Sequence, residues 1–183
     1  MMEKILVVID MQKDFISGAL KNEDAMKIVS YVKEKIEDAK AKGWNILFTK
    51  DTHEDDYMET EEGKHLPVPH CIRNTDGWNI IDELEADKFA DEVIEKETFG
   101  STALAEVFMK QKENIKEVEF IGVCTDICVI SNVLMAKAIL PNKKIRVDAA
   151  GCAGVTPQSH DTAISAMEAC HIEVKNKEKE AWR

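Results

Sequence analysis

The run Lys4-Ile5-Leu6-Val7-Val8-Ile9 is apolar without alternation, and it constrains the fold more than any other stretch of the chain. A strand with one solvated face alternates apolar and polar side chains, whereas an unbroken β-branched run marks a strand buried on both faces. Such a strand needs helices above and below it, and the chain supplies them in alternation. Ala25, Ile28, Val29, Val32, Ile36 and Ala39 recur at helical spacing opposite Lys27, Lys33, Glu34, Glu37 and Asp38, with Asn22 placed as N-cap and Gly43 just past the end. Further strands are expected at 44–49, 92–95, 118–123, 144–148 and around Ile172 and Val174. Helices are expected at 78–84, 102–112, 130–138 and 157–170, and an irregular loop at 50–77. Alternation of this kind predicts an α/β fold, an open doubly wound parallel sheet of about six strands with helices on both faces in a Rossmann-like three-layer arrangement.

At 183 residues the chain reads as a single domain over 1–183. A net charge of −11 argues against a phosphate backbone or an anionic membrane as partner, so no nucleic acid and no membrane are expected. No apolar stretch has membrane-spanning length, and Met1-Met2-Glu3-Lys4 leads into a strand rather than a signal peptide. The five cysteines, an odd number, fit reduced thiols and a cytoplasmic location. Of these, Cys71, Cys152 and Cys170 read as packing residues. The tail at 175–183 is charged and is expected to be solvated.

In a sheet of this type the ligand crevice lies beyond the carboxyl ends of the strands. Asp10 ends the first strand, Asp51 follows the second, Lys96 ends the third and Cys128 lies in the turn after the fourth. A buried cysteine is more often packing than nucleophile. Here, however, the turn opens a helix whose free N–H groups and dipole favour a thiolate. Asp10 is placed to take the thiol proton as general base, and Lys96 to stabilise the thiolate and keep Asp10 ionised. Backbone N–H groups around Cys124 and Cys128 are candidate donors to the oxyanion formed when a thiolate attacks a carbonyl. That chemistry is amide hydrolysis through a thioester.

A second set is Asp51-Thr52-His53 with His70 further along the loop. Asp51 and His53 share one side of an extended segment, and one carboxylate with two imidazoles suits zinc, iron or manganese. Glu62 is a further candidate ligand. His65 nearby shows that a histidine in this loop need not be one.

Val7-Val8-Ile9-Asp10-Met11-Gln12-Lys13-Asp14-Phe15, Lys96-Glu97-Thr98-Phe99-Gly100-Ser101 and Gly122-Val123-Cys124-Thr125-Asp126-Ile127-Cys128-Val129 together resemble the motifs of the isochorismatase-like cysteine hydrolases, and among them the nicotinamidases. The resemblance covers nearly the whole chain. It implies a catalytic triad of Asp10, Lys96 and Cys128, and a cis peptide bond before Cys124. It also implies a divalent metal, zinc first with manganese or iron as alternatives, held by Asp51, His53 and His70 of Pro69-His70-Cys71. In that setting the metal would hold a pyridine nitrogen and orient the ring beside Cys128. Phe15 matches an aromatic that commonly lines the family's pocket. Phe99 and Leu66 are further candidate substrate contacts, Leu66-Pro67-Val68 standing where many nicotinamidases have a tryptophan. By analogy a homodimer or homotetramer is expected.

The function this predicts is metal-assisted conversion of nicotinamide to nicotinate and ammonia, in NAD metabolism. Alternatives are a cysteine amidohydrolase of the same family acting on another small amide, a ureido or carbamoyl compound, and a non-catalytic metal-binding member of the fold. Cleavage of a vinyl ether would not need the cysteine, so Cys128 counts against that reaction.

Overall fold

A computed structural model describes residues 3–183, so the Met1-Met2 part of the expected lead into the first strand lies outside the described residues. The strands are β1 (Glu3–Ile9), β2 (Asn45–Asp51), β3 (Glu92–Lys96), β4 (Ile115–Val123), β5 (Lys144–Ala153) and β6 (Glu173–Lys175). All pair in parallel, in the order β3-β2-β1-β4-β5-β6. The chain builds outward from β1 to β3, returns to lay β4 on the other side of β1, and builds outward again. Strand order therefore reverses between β1 and β4, and the crevice for a ligand opens there.

The unbroken run does what its pattern requires. Ile5, Val7 and Ile9 enter one core cluster and Leu6 and Val8 the other, because successive strand side chains point to opposite faces. Each such side chain withdrawn from water contributes about 1.5–3 kcal/mol. The long helix α2 (Glu23–Ala41) covers the Leu6 face through Ala25, Ile28, Val32, Ile36 and Ala39, with short α1 (Lys13–Ile16) at its start. Asn22 caps it by accepting from the N–H groups of Asp24 and Ala25. The Val7 face packs on helices α5 (Thr102–Gln111), α6 (Ile130–Ile139) and α7 (Pro157–Ala169) through Leu104, Phe108, Val133, Ala136, Ile164 and Met167. Among the described residues no helix is long and apolar enough to cross a membrane.

Several expectations need correction. The stretch 78–84 is not a helix: it is a loop ending in a 3-10 turn, Asp82–Leu84, followed by the short α4 (Ala86–Phe89). Trp78 there serves as a side-chain anchor, donating to Thr52 Oγ1 at 2.8 Å. The loop at 50–77 contains a 3-10 turn, Tyr57–Glu59, and the one-turn helix α3 (Glu61–His65), capped by Thr60. β5 continues to Ala153, past the expected end at Asp148, because Cys152 and Ala153 pair with Gly122 and Val123. The tail is not simply solvated. Glu180 and Trp182 are buried, the indole donating to Cys152 O at 3.1 Å. A charged stretch reads as surface in sequence, but Arg183 pairs with Glu180 and Asp161, and one tryptophan supplies the apolar anchor.

Candidate active site

β1 ends at Ile9, and Asp10 follows at φ +49°, a left-handed conformation rare for a residue with a side chain. The turn is fixed from the neighbouring strand. Asp10 N–H donates to Thr49 Oγ1 at 3.2 Å, and the Thr49 hydroxyl donates to Asp10 Oδ1 at 2.6 Å. The last residue of β3, Lys96, is buried between three partners. Its Nζ stands 2.7 Å from Asp10 Oδ2, 2.8 Å from Asp51 Oδ1 and 3.6 Å from Cys128 Sγ. Thr49 occupies Asp10 Oδ1, while Asp10 Oδ2 faces the Lys96 ammonium.

Cys128 lies within a π-turn, Thr125–Val129, rather than in the first turn of α6. Ile127 and Val129 N–H groups both donate to Cys124 O at 3.1 Å, winding the turn wide. The peptide bond between Val123 and Cys124 is cis. Asn132, one turn into α6, donates to Cys128 O at 2.8 Å and Phe99 O at 3.0 Å and accepts from Ser101 N–H at 2.8 Å. It ties the cysteine turn to the segment following Lys96. Neither Asn132 nor Thr49 stands out in the sequence as a site residue. A polar amide beside Val133 and Ala136 on the buried side of the mostly apolar helix 130–138 is the signal that points to Asn132.

The electrostatics differ from the expected resting thiolate. Burial raises the Cys128 thiol well above its ordinary range and the Asp10 carboxylate raises it further, outweighing Lys96. Asp10 is also raised, by burial first, with Lys96 and Thr49 opposing. Burial works against the Lys96 ammonium, but Asp10, Cys128 and Asp51 hold its pKa well above the ordinary value. The resting site is thus a protonated thiol beside a raised carboxyl and a firmly charged lysine.

Asp51 belongs to a second cluster as well. Its Oδ1 meets Lys96, while its Oδ2 lies 3.1 Å from His53 Nε2 and 3.6 Å from His70 Nε2. Glu62 Oε1 completes the group at 3.6 and 3.8 Å from the same nitrogens. One ligand atom from each of Asp51, His53, Glu62 and His70 lies within 4.8 Å of all the others. Ligands about 2.1 Å from a tetrahedral zinc stand about 3.4 Å apart, so these separations fit such an ion with little rearrangement. Val68 O can only accept, so His70 Nδ1 carries the hydrogen of their 2.8 Å bond, and in the neutral ring a metal needs Nε2 is the nitrogen with the lone pair. Tyr57 packs on both imidazoles, with ring centroids 4.7 and 5.1 Å away. Burial opposes the Asp51 charge, but the His53 hydrogen bond, the neighbouring His70 imidazole and the charge of Lys96 hold its carboxyl well below the usual range. The donor set fits a divalent metal.

A cavity of about 610 Å³ opens over both clusters and is lined by Cys128, His70, Phe15, Leu66, Phe99 and Ile127, among others. The residues expected to touch substrate therefore share one wall system with the thiol and the candidate ligands.

Against known proteins, a family model for the isochorismatase domain matches residues 4–178. The chain is 27% identical to the nicotinamidase of Schizosaccharomyces pombe over 208 residues, spanning 92% of this chain and 91% of that one. The crystal structure of the pyrazinamidase of Pyrococcus horikoshii in complex with zinc superposes with a TM-score of 0.81 at 28% identity, covering 94% of this chain and 98% of the other. N-carbamoylsarcosine amidase from Thermoplasma acidophilum superposes with a TM-score of 0.77 at 27% identity, covering 97% and 98%.

Proposed function

The chain belongs to the isochorismatase family as a hydrolase of linear amides, and from that membership we propose that it converts nicotinamide to nicotinate and ammonia with Cys128 as nucleophile. The observation that carries the reading is the placement of Lys96 Nζ between Asp10, Asp51 and the Cys128 sulfur. It joins the thiol site to the metal-type cluster through one buried ammonium.

Asp10 takes the Cys128 proton as the sulfur attacks the amide carbon, so the thiolate forms only when it is used. Lys96 offsets the negative charge that the buried thiolate and carboxylate would otherwise share. Backbone N–H groups of Cys124 and Cys128 receive the oxyanion. The protonated Asp10 returns its proton to the leaving nitrogen, ammonia departs and a thioester remains. Water, deprotonated by Asp10, attacks the thioester, and the acid leaves with Cys128 again a thiol. Asp51, His53, His70 and Glu62 would hold a divalent ion, which when bound supplies a Lewis-acid partner for a ring nitrogen and so fixes the ring. Phe15, Leu66 and Phe99 wall the apolar faces of that ring.

The test is ammonia release from nicotinamide by the purified protein as isolated, after chelation, and after adding back zinc, manganese or iron. Turnover lost on chelation and regained with metal is the expected result. No turnover of nicotinamide with any of these ions overturns the substrate, and N-carbamoyl compounds are then assayed in its place. Fast alkylation of Cys128 at neutral pH in the absence of substrate would sink the alternative of a non-catalytic metal-binding protein, which predicts an unreactive thiol.

A further inference from the structure

The first motif contains two polar residues that the chemistry above leaves unused, Gln12 and Asp14. Gln12 has no exposed surface. Its Oε1 accepts from the Asp51 N–H at 2.7 Å, and its Nε2 donates to Asp51 O and to Trp78 O, both at 2.8 Å. The side-chain amide thus closes a two-point pair on the backbone of one residue, as a neighbouring strand would, at the point where β2 has run past its pairing with β1. Asp14 acts on the other side of the cluster. Its Oδ2 accepts from the Cys71 N–H at 2.7 Å and its Oδ1 from the Ala19 N–H at 3.1 Å, while its own N–H donates to Gly77 O at 3.0 Å.

Cys71 is the pivot. Its N–H is held by Asp14, its carbonyl accepts from the His53 N–H at 3.0 Å, and it directly follows His70. The two peptide groups flanking one residue therefore set the separation of both imidazoles. The carboxylate that grips it is itself enclosed, since a Cβ at Gly18 or Gly77 would run into the Asp14 side chain. The need for such clamps is physical. The ligands come from a strand end and from a loop with little regular structure, and two carboxylates, Asp51 and Glu62, repel each other within the cluster. Without an ion present, something else must hold them together.

We propose that Gln12 and Asp14 are positioning residues of the metal centre: Gln12 fixes the Asp51 backbone, and Asp14 fixes the Cys71 peptide between His53 and His70, so that the ligands stand in place before an ion arrives. This rests on the metal reading above. Alternate positions of one short segment then serve three parts of the site, with Asp10 on Lys96, Gln12 on Asp51 and Asp14 on Cys71.

The experiment titrates metal-free protein with zinc against a chromogenic chelator, alongside thermal unfolding of each metal-free variant. Gln12→Leu and Asp14→Asn each lose about 10- to 100-fold in zinc affinity, the usual effect of removing a group that orients a ligand. Gly77→Ala keeps every polar group, displaces the Asp14 carboxylate and loses affinity in the same direction, which serves where Asp14→Asn does not fold, as Gln12→Glu serves where Gln12→Leu does not. Ile36→Val, a softening of the α2 core far from the cluster, lowers thermal stability and leaves zinc affinity unchanged. Wild-type affinity in a folded Gln12 variant overturns the role of Gln12, and wild-type affinity in folded Asp14→Asn and Gly77→Ala overturns that of Asp14, in each case leaving the metal reading intact. A wild-type protein that binds no zinc, manganese or iron overturns both.

Discussion

Lys96 Nζ has two carboxylates and a thiol as neighbours and almost no water, so small changes around it are felt by the acid–base pair. Asp10→Asn keeps the shape but cannot take the thiol proton, and is expected to lower kcat about 10²–10⁴-fold with KM little changed, read by ammonia release. The acid side of the pH–rate profile follows from Asp10. Burial raises its pKa, so activity declines as pH falls while still above the ordinary carboxylate range, and Lys96 adds no loss at neutral pH because its own pKa is raised. The Thr49 hydroxyl bonds to the ionised carboxylate and pulls the other way. Thr49→Val therefore moves the acid limb to higher pH, and a limb that stays put or moves down would contradict Asp10 as the base. Because Asp10, Asp51 and Cys128 interact, the limb reports an apparent value for the set. Asp10, Lys96 and Cys128 are legible in sequence because each sits where a strand ends. Thr49 is not, since threonine inside a strand is ordinary and only the register beside β1 brings its hydroxyl to Asp10.

At the level of elements, the reversal of strand order between β1 and β4 depends on a close approach at Gly122. Gly122 has φ +118°, and a Cβ there would strike the backbone of Ile9, the residue before Asp10. Gly122→Ala is expected to cost on the order of 2 kcal/mol or more, seen as a lower urea midpoint at unchanged slope. Gly43, past the end of α2 at φ +74°, faces open space, so Gly43→Ala costs only about 1–2 kcal/mol from the backbone conformation itself. If the two substitutions cost the same, close approach is not what Gly122 provides. The long elements were legible because each repeats a period over many residues. α2 shows its stripe over 19 residues, and β1 shows an unbroken run. The short pieces, α1, α3, α4 and the turn at Asp82–Leu84, have too few residues to show a period, and tertiary contacts set them. The π-turn holding Cys128 differs from a helix start by its wider winding, which residue types do not encode.

For the whole molecule, the described C-terminal residues clamp the face that carries the cysteine turn. His160, fully buried at the start of α7, meets Thr125 Oγ1 at 2.8 Å through Nδ1 and Glu180 Oε1 at 3.3 Å through Nε2, with the Trp182 ring 4.9 Å away edge-on. Thr125 opens the π-turn, so the tail reaches the nucleophile's support through one imidazole. Trp182→Ala removes the apolar anchor and is expected to cost about 3 kcal/mol. At about 2–4 °C per kcal/mol for a chain of this size, that is roughly 6–12 °C in Tm. The pH dependence has a definite sign. Burial lowers the His160 pKa below its usual 6.5, even though Glu180 pulls it up. The folded state then resists a proton that the unfolded chain accepts, so the contribution of His160 is complete above pH 6.5 and is lost as pH falls toward the folded value. Glu180 is depressed from 4.5, burial opposing but Arg183 prevailing, so its own contribution is lost only at lower pH and does not obscure the first window. Comparing Tm at pH 7.5 and 5.5, His160→Gln should lose less than wild type, whatever the other histidines add, because they are common to both. An equal loss in the two proteins would mean that His160 binds its proton alike in the folded and unfolded states, and a larger loss in His160→Gln would mean that the folded state holds the proton, the tail then gripping the cysteine turn through an ion pair with Glu180 rather than a neutral bond.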